Sequence, residues 1–274
     1  MFTSNPFAAL SASIPTVYMQ GYIVVMILLV MGGTILDMLH KKSAQYFFEN
    51  AKKAKKSAKR SVGGGEKIAI ATSVLVKEVL TSGEFDNPRR RLSHLLTMWG
   101  TIIFIVTTAI MIFSPSSTST LLPQLWHIGA LMLAVGGYWF WFAIRVDVAA
   151  EGLSWFRLER ADLFILSLLA TSTFALIWSF TGGGLTVFFA LFILSSTVLF
   201  GGVYWSKFAH MFFKPAAAYQ KKIIMADGSR ENLPPDYDLT DPEVQRKFPD
   251  VPMYMGKNPP NMGLCIKAER ANHY

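Results

Sequence analysis

His94 and His210 are the residues of this chain best able to do chemistry, and their neighbours say where they act. The run Pro88-Arg89-Arg90-Arg91-Leu92-Ser93-His94 opens one apolar stretch, and Trp205-Ser206-Lys207-Phe208-Ala209-His210-Met211 closes another. Two imidazoles on different helices at one membrane level form an axial ligand set for a b-type haem. Bis-imidazole ligation suits an iron that passes electrons without binding oxygen. Haem propionates are anionic, and Arg89, Arg90, Arg91 and Lys207 are placed to meet them. Lys207 stands three residues before His210 and is expected on nearly the same helical face. Gly100 and the pair Gly201 and Gly202 are small enough to let a flat macrocycle approach backbone. The plainer alternative is that the arginines anchor the chain at the membrane surface and the glycines pack helix on helix.

The other histidines are weaker candidates. His40, beside Lys41 at the end of the first apolar stretch, is a possible alternative ligand. His127 begins a stretch that starts on the opposite face, about 30 Å of hydrocarbon away, so it cannot share an iron with His94 or His210. With Trp126 and Gln124, His127 could instead hydrogen-bond a quinone carbonyl, although an aromatic belt with polar neighbours is the simpler account. His273 lies in the tail and is expected to be inert. The single cysteine, Cys265, cannot supply the four thiolates of an iron–sulfur cluster. No C-x-x-C-H run exists to attach a c-type haem.

The elements that must position these residues are apolar helices. Of 274 residues 52% are hydrophobic, and the mean hydropathy is positive, which marks a multi-span membrane protein. A span needs about 20 apolar residues, and five stretches qualify, at 17–38, 95–113, 125–144, 163–180 and 185–205. Asp37 is the only charged residue within them. The first is too long, and its basic flank lies on the wrong side, for a cleaved signal peptide. The basic residues set the orientation. Thirteen Lys and Arg fall in 41–91, three in 145–160 and ten from Lys207 onward, together all 26. The positive-inside rule then puts the N-terminus outside and the C-terminus in the cytoplasm.

The expected fold is therefore an all-α integral membrane protein. Residues 1–16 form an outer arm, 17–40 the first span, 41–93 a basic, helical cytoplasmic loop, 94–213 a four-helix membrane bundle, and 214–274 an extended, Pro-rich cytoplasmic tail. The Lys- and Ala-rich 41–60 favours helix, and Gly63, Gly64 and Gly65 break it. Residues 146–160, with Trp155 and Phe156, read as an interfacial stretch. The polar tail is too poor in apolar residues for a core of its own and reads as disordered or laid along a partner. The formal charge of +8 reflects orientation and anionic lipid, not nucleic acid. Charge-free span middles offer no ion relay, and no broken-helix repeats are visible, which speaks against a transporter or channel.

The two histidine runs, with Trp99 and Gly100 and a five-span pattern, resemble the cytochrome b subunits of the nitrate reductase gamma type. That group includes membrane subunits of heterodisulfide reductase and of the quinone-interacting oxidoreductase partnered with adenylylsulfate reductase. The likeness covers roughly 87–219. It implies two haems, each ligated by one histidine of an early helix and one of the last. His94 and His210 match the cytoplasm-side pair. Phe104 and Phe192 stand where the resemblance would put the second pair, so one haem b is expected, with Phe188, Phe189 and Phe192 filling the outer space. The departure, together with the tail runs 227–234 and 262–274, is most similar to the small membrane anchors associated with dissimilatory adenylylsulfate reductase. The resemblance implies a soluble flavin and iron–sulfur reductase on the cytoplasmic face of a prokaryotic cell membrane. Electrons would pass between it and the quinone pool through a subunit that is not itself the catalyst. The alternative is a cofactor-free anchor that only recruits the reductase.

Overall fold

A computed structural model describes residues 2–83, 85, 87–115, 119–146, 152–208, 210–233 and 241–247; the side chains of Ser43 and His210 are excluded. Among the described residues the regular elements are all helical. Four helices are long and apolar enough to cross a membrane: Thr16–His40, Pro88–Phe113, Leu121–Ile144 and Arg160–Phe180. The architecture is that of an all-α, multi-pass membrane protein. A fifth apolar helix, Val187–Gly201, has 15 residues and is about 22 Å long at 1.5 Å per residue.

The chain divides into two compact units, one of Met1–Ser43 with Val76–Pro215, the other of Ala44–Leu75 with Ala216–Tyr274. The first unit holds the long helices. After a short α1 (Pro6–Leu10) comes α2 (Thr16–His40), which turns most of its apolar residues outward. Val17, Leu28, Met31 and Leu36 are all more than half exposed. A water-soluble chain does not leave so large a continuous patch uncovered, and in lipid it is the normal outer surface.

Next come α5 (Pro88–Phe113), α6 (Leu121–Trp139, continued by a π-helical turn to Ile144), α7 (Leu163–Phe180) and α8 (Val187–Gly201). Each runs antiparallel to the one before. Their contacts define a basic end, where α5 begins and α6 finishes, and a far end. The start of α5 is fixed by Asn87, whose side chain accepts from the backbone N–H of Arg89 at 2.9 Å, and by Pro88 in the first turn. Both are standard N-terminal devices.

In lipid, apolar burial gives little drive to helix association, so close packing and small residues decide. The α5–α6 seam shows this. A Cβ on Gly100 would lie 2.5 Å from the Leu133 backbone nitrogen, and one on Gly129 2.7 Å from that of Phe104. Ser93 donates to the Gly136 carbonyl at 2.8 Å on the same seam. Gly100 is thus spent on helix packing and not on admitting a macrocycle.

The far end is aromatic. Phe104 and Phe192, the two positions where the resemblance calls for ligands, meet at 6.2 Å between ring centres. They pack with Trp126, Trp178 and Phe189 in one buried cluster. The N-terminal arm joins it: Phe7 of α1 sits 5.2 Å from Trp178 and 6.0 Å from Trp126. Gly182, Gly183 and Gly184, all at positive φ, make the α7–α8 turn that side-chain-bearing residues would resist.

The second unit, described by itself, contains α3 (Ser43–Ser57) and α4 (Gly64–Ser73). It also takes in the later part of α9 (His210–Ala226). The Gln220 amide donates to the Phe47 carbonyl at 2.8 Å, and the Lys59 N–H to that of Asp227 at 2.9 Å. The beginning of the polar tail is therefore helical and packed on the chain's own basic segment. Helix α10 (Pro242–Lys247) is short, and 234–240 and 248–274 lie outside the described residues.

Candidate functional site

The His94 environment is built at the basic end by α5 and the turn before it. A π-helical segment, Val74–Leu80, stops at a tight turn. There the Gly83 N–H donates to the Lys77 carbonyl, and a Cβ on Gly83 would lie 2.5 Å from that oxygen. Ser82, just before it, has φ +49, the left-handed region that a serine rarely occupies. Ser82 is fully buried, and its hydroxyl lies 2.8 Å from His94 Nδ1. The turn therefore holds one imidazole nitrogen, as an outer partner does for a ligating histidine.

Phe85 completes the cluster. Its ring is 4.9 Å from that of His94, the Arg90 guanidinium stands 5.7 Å above it, and the Lys214 ammonium lies 5.5 Å from its centre. Lys214 is one turn beyond His210 in α9. One phenyl ring thus joins the His94-bearing start of α5 to the opening turns of the helix that His210 begins. The His210 side chain itself, Ala209 and His273 lie outside the described residues.

Several expectations are corrected here. His210 does not close the last apolar helix. The α8 helix ends at Gly201, a 3-10 turn covers Val203–Trp205, and α9 starts afresh at His210. Lys207 is exposed in the link between these helices and shares no helical face with His210. Gly201 and Gly202 lie where α8 breaks. Phe208 pins the link to the bundle, with ring centres 5.3 Å from Phe164 and 6.3 Å from Phe200.

The three arginines also diverge. Arg90 faces the Phe85 and His94 cluster. Arg91 donates through Nε to the Thr81 carbonyl at 2.8 Å and lines a separate groove with Leu95 and Trp99. Arg89 is exposed.

His40 packs edge-on to Tyr204 at 5.7 Å. His127 is buried in the core, with Nδ1 2.7 Å from the Pro123 carbonyl and Nε2 2.7 Å from the Ser179 hydroxyl. Trp126 is fully buried and donates to Thr108 at 2.8 Å. The ring nitrogens of both are thus hydrogen-bonded within the protein.

Sequence reading missed one constellation. Arg145, fully buried, contacts Asp162 at 2.6 Å and donates to the carbonyls of Ser154 and Arg157, each at 2.6 Å. Its guanidinium lies over the Trp141 ring at 4.2 Å. The signal was an Arg directly after one apolar run and an Asp directly before the next. Read only as a positive-inside charge, Arg145 gives no hint of it.

Comparison with family models, with curated proteins and with solved structures finds no match to this chain. The donor set at the basic end fits a haem in its chemistry: an imidazole held through Nδ1, a second histidine at the start of α9, and cations beside them.

Proposed function

We propose that the chain is the membrane-anchoring, electron-transferring subunit of an oxidoreductase complex. It joins a cytoplasmic flavin and iron–sulfur reductase of the adenylylsulfate reductase type to the quinone pool of a prokaryotic cell membrane. In this reading α8 is a fifth span, the N-terminus is outside, and the second unit lies in the cytoplasm. The supply of Lys and Arg on 41–91, 145–160 and the tail supports that orientation. One haem b would be held by His94 and His210, with Arg90 and Lys214, the cations at Phe85, offered to its propionates. When bound, it supplies a one-electron carrier that links two-electron donors to quinone. The protein's own part is to fix the His94 ring through Ser82 and to offer cations for the propionates.

The observation that carries this reading is the meeting of the His94 turn and the first turns of α9 around Phe85. Its test is a reduced-minus-oxidised spectrum and a pyridine haemochrome assay on the purified full chain. A b-type band is expected, and it should vanish in both His94→Ala and His210→Ala. A wild-type chain without haem from haem-replete cells, or a band that survives in both variants, overturns it.

One observation favours a second reading, a cofactor-free anchor that recruits the reductase. Phe85 and Ser82 already pack against His94, as they would around a purely structural histidine. In that case His94→Ala would still retain the soluble partner and support full quinone-linked turnover.

A further inference from the structure

Beside the histidine cluster, on another face of α5, runs a groove of about 590 Å³ lined by Leu80, Thr81, Arg91, Leu95, Trp99 and Met132, among others. We propose that this groove binds one acyl chain of an anionic phospholipid, with the headgroup on Arg91. The site is built and not merely left over. Arg91 is held by its Nε–H on the Thr81 carbonyl, and the Trp99 indole N–H donates to the Leu80 carbonyl at 3.2 Å. These two bonds hold the Leu80–Thr81 backbone to α5 along the groove. Among the described residues, the terminal amino groups of Arg91 have no protein partner and remain available to a phosphate, which a guanidinium grips through paired N–H donors.

Length and polarity select the ligand. Arg91, Leu95, Trp99 and Ile103 recur every four residues and form one stripe down α5. From Arg91 to Ile103 the stripe runs about 18 Å, close to the half-thickness of a hydrocarbon core of about 30 Å. One acyl chain of one leaflet fits that run. Below Arg91 the lining is apolar, with Leu95, Leu96, Ile103 and Met132, so charge is concentrated at a single level, where a headgroup would lie. Anionic lipids gain roughly 1 kcal/mol for each basic residue at the surface, which corresponds to about a fivefold preference over a zwitterionic lipid of equal chains.

That the headgroup lies in the cytoplasmic leaflet rests on the orientation proposed above; the binding itself does not, nor does it depend on haem. The test uses the full chain, delipidated in detergent and titrated with phosphatidylglycerol or phosphatidylcholine of identical chains, with bound lipid read by native mass spectrometry. Phosphatidylglycerol should bind about fivefold more tightly. Arg91→Gln should abolish the difference, and Met132→Trp, which fills the groove without touching Arg91, should weaken both lipids. Equal affinity for the two lipids, a preference that survives Arg91→Gln, or affinities unmoved by Met132→Trp would overturn the proposal. So would displacement of phosphatidylglycerol by an equimolar neutral isoprenoid quinone, which would assign the groove to that ligand. Detergent solution has no sidedness, so a wrong orientation leaves these outcomes unchanged and would appear only when single cysteines introduced at either end of the helices are labelled in sealed vesicles.

Discussion

Ser82 occupies a backbone region that costs a non-glycine residue on the order of 1–3 kcal/mol, although glycine follows it and a glycine at 82 would remove the strain. What serine adds is its hydroxyl on His94 Nδ1. Two substitutions separate the roles. Ser82→Gly relieves the backbone, so the detergent-solubilised protein should melt no lower than wild type, while the His94 ring loses this hydrogen bond and, under the haem reading proposed above, haem retention falls. Ser82→Ala keeps the strain, loses the bond and should cost roughly 1 kcal/mol as well. If both variants bind haem like wild type, the hydroxyl does not orient a ligand. Arg145 makes a different prediction. Removing it leaves Asp162 buried without its countercharge, and breaking such a pair costs about 3–5 kcal/mol. Arg145→Ala should therefore lower the melting temperature far more than Arg157→Ala, whose side chain is two-thirds exposed. Arg145→Lys should recover little, because one ammonium cannot reach Asp162 and two carbonyls with the same planar fork.

Among the helices, α5 and α6 pack through Gly100, Gly129 and Gly136, where an added Cβ would collide with the facing helix. Gly100→Val should force the pair apart and cost about 1–3 kcal/mol, as overpacking of a tight interface does. Gly32→Ala on α2 is the matched control. A Cβ there meets nothing within 4 Å, so it should be neutral or stabilise by about 0.5–1 kcal/mol through helix propensity. Thermal unfolding of both variants in one detergent reads the contrast. The long helices were legible in the sequence because some 20 apolar residues in a row have few other uses. The end of α8 was not. Apolar residues continue to Trp205, but α8 stops at Gly201, and Gly33 of α2 lies against Val203, where a Cβ would sit 2.9 Å from the valine Cβ. Such a contact cannot be read from local pattern. Pro215 hid α9 in the same way, since an internal proline reads as a helix breaker. His94 was visible through its arginines, whereas Ser82, twelve residues earlier in a loop, carried no motif.

Across the whole molecule, the apolar unit and the charged unit are interleaved in sequence, since Ala44–Leu75 and Ala216–Tyr274, which form one compact unit, lie on either side of Val76–Pro215 in the chain. The charged unit is held by polar contacts. Arg60 pairs with Glu66 through two hydrogen bonds of 2.6 and 2.9 Å and donates by Nε to the Ala226 carbonyl at 2.6 Å. The same guanidinium thus ties the chain before α4 to the end of α9. The hydrogen bond from Arg60, and then its charge, holds the Glu66 carboxyl below the ordinary carboxylate range. The sign follows from linkage. A depressed carboxylate pKa means that the folded unit binds fewer protons than the unfolded chain. The pair's contribution is therefore complete above the unfolded value, near 4.5, and is lost as pH falls through the lower folded value. Hydrogen exchange in 44–75 and 216–233 should thus be insensitive to this pair between about pH 6 and 8 and should rise in acid, once corrected for intrinsic rates. Glu66→Gln removes the titrating group, so its corrected exchange should lack that acid-range rise while matching the acidified wild type. Because both side chains are open to solvent and screened by salt, the effect should be small and shrink further at high ionic strength. An acid response of equal size in Glu66→Gln would show that another carboxylate governs the unit.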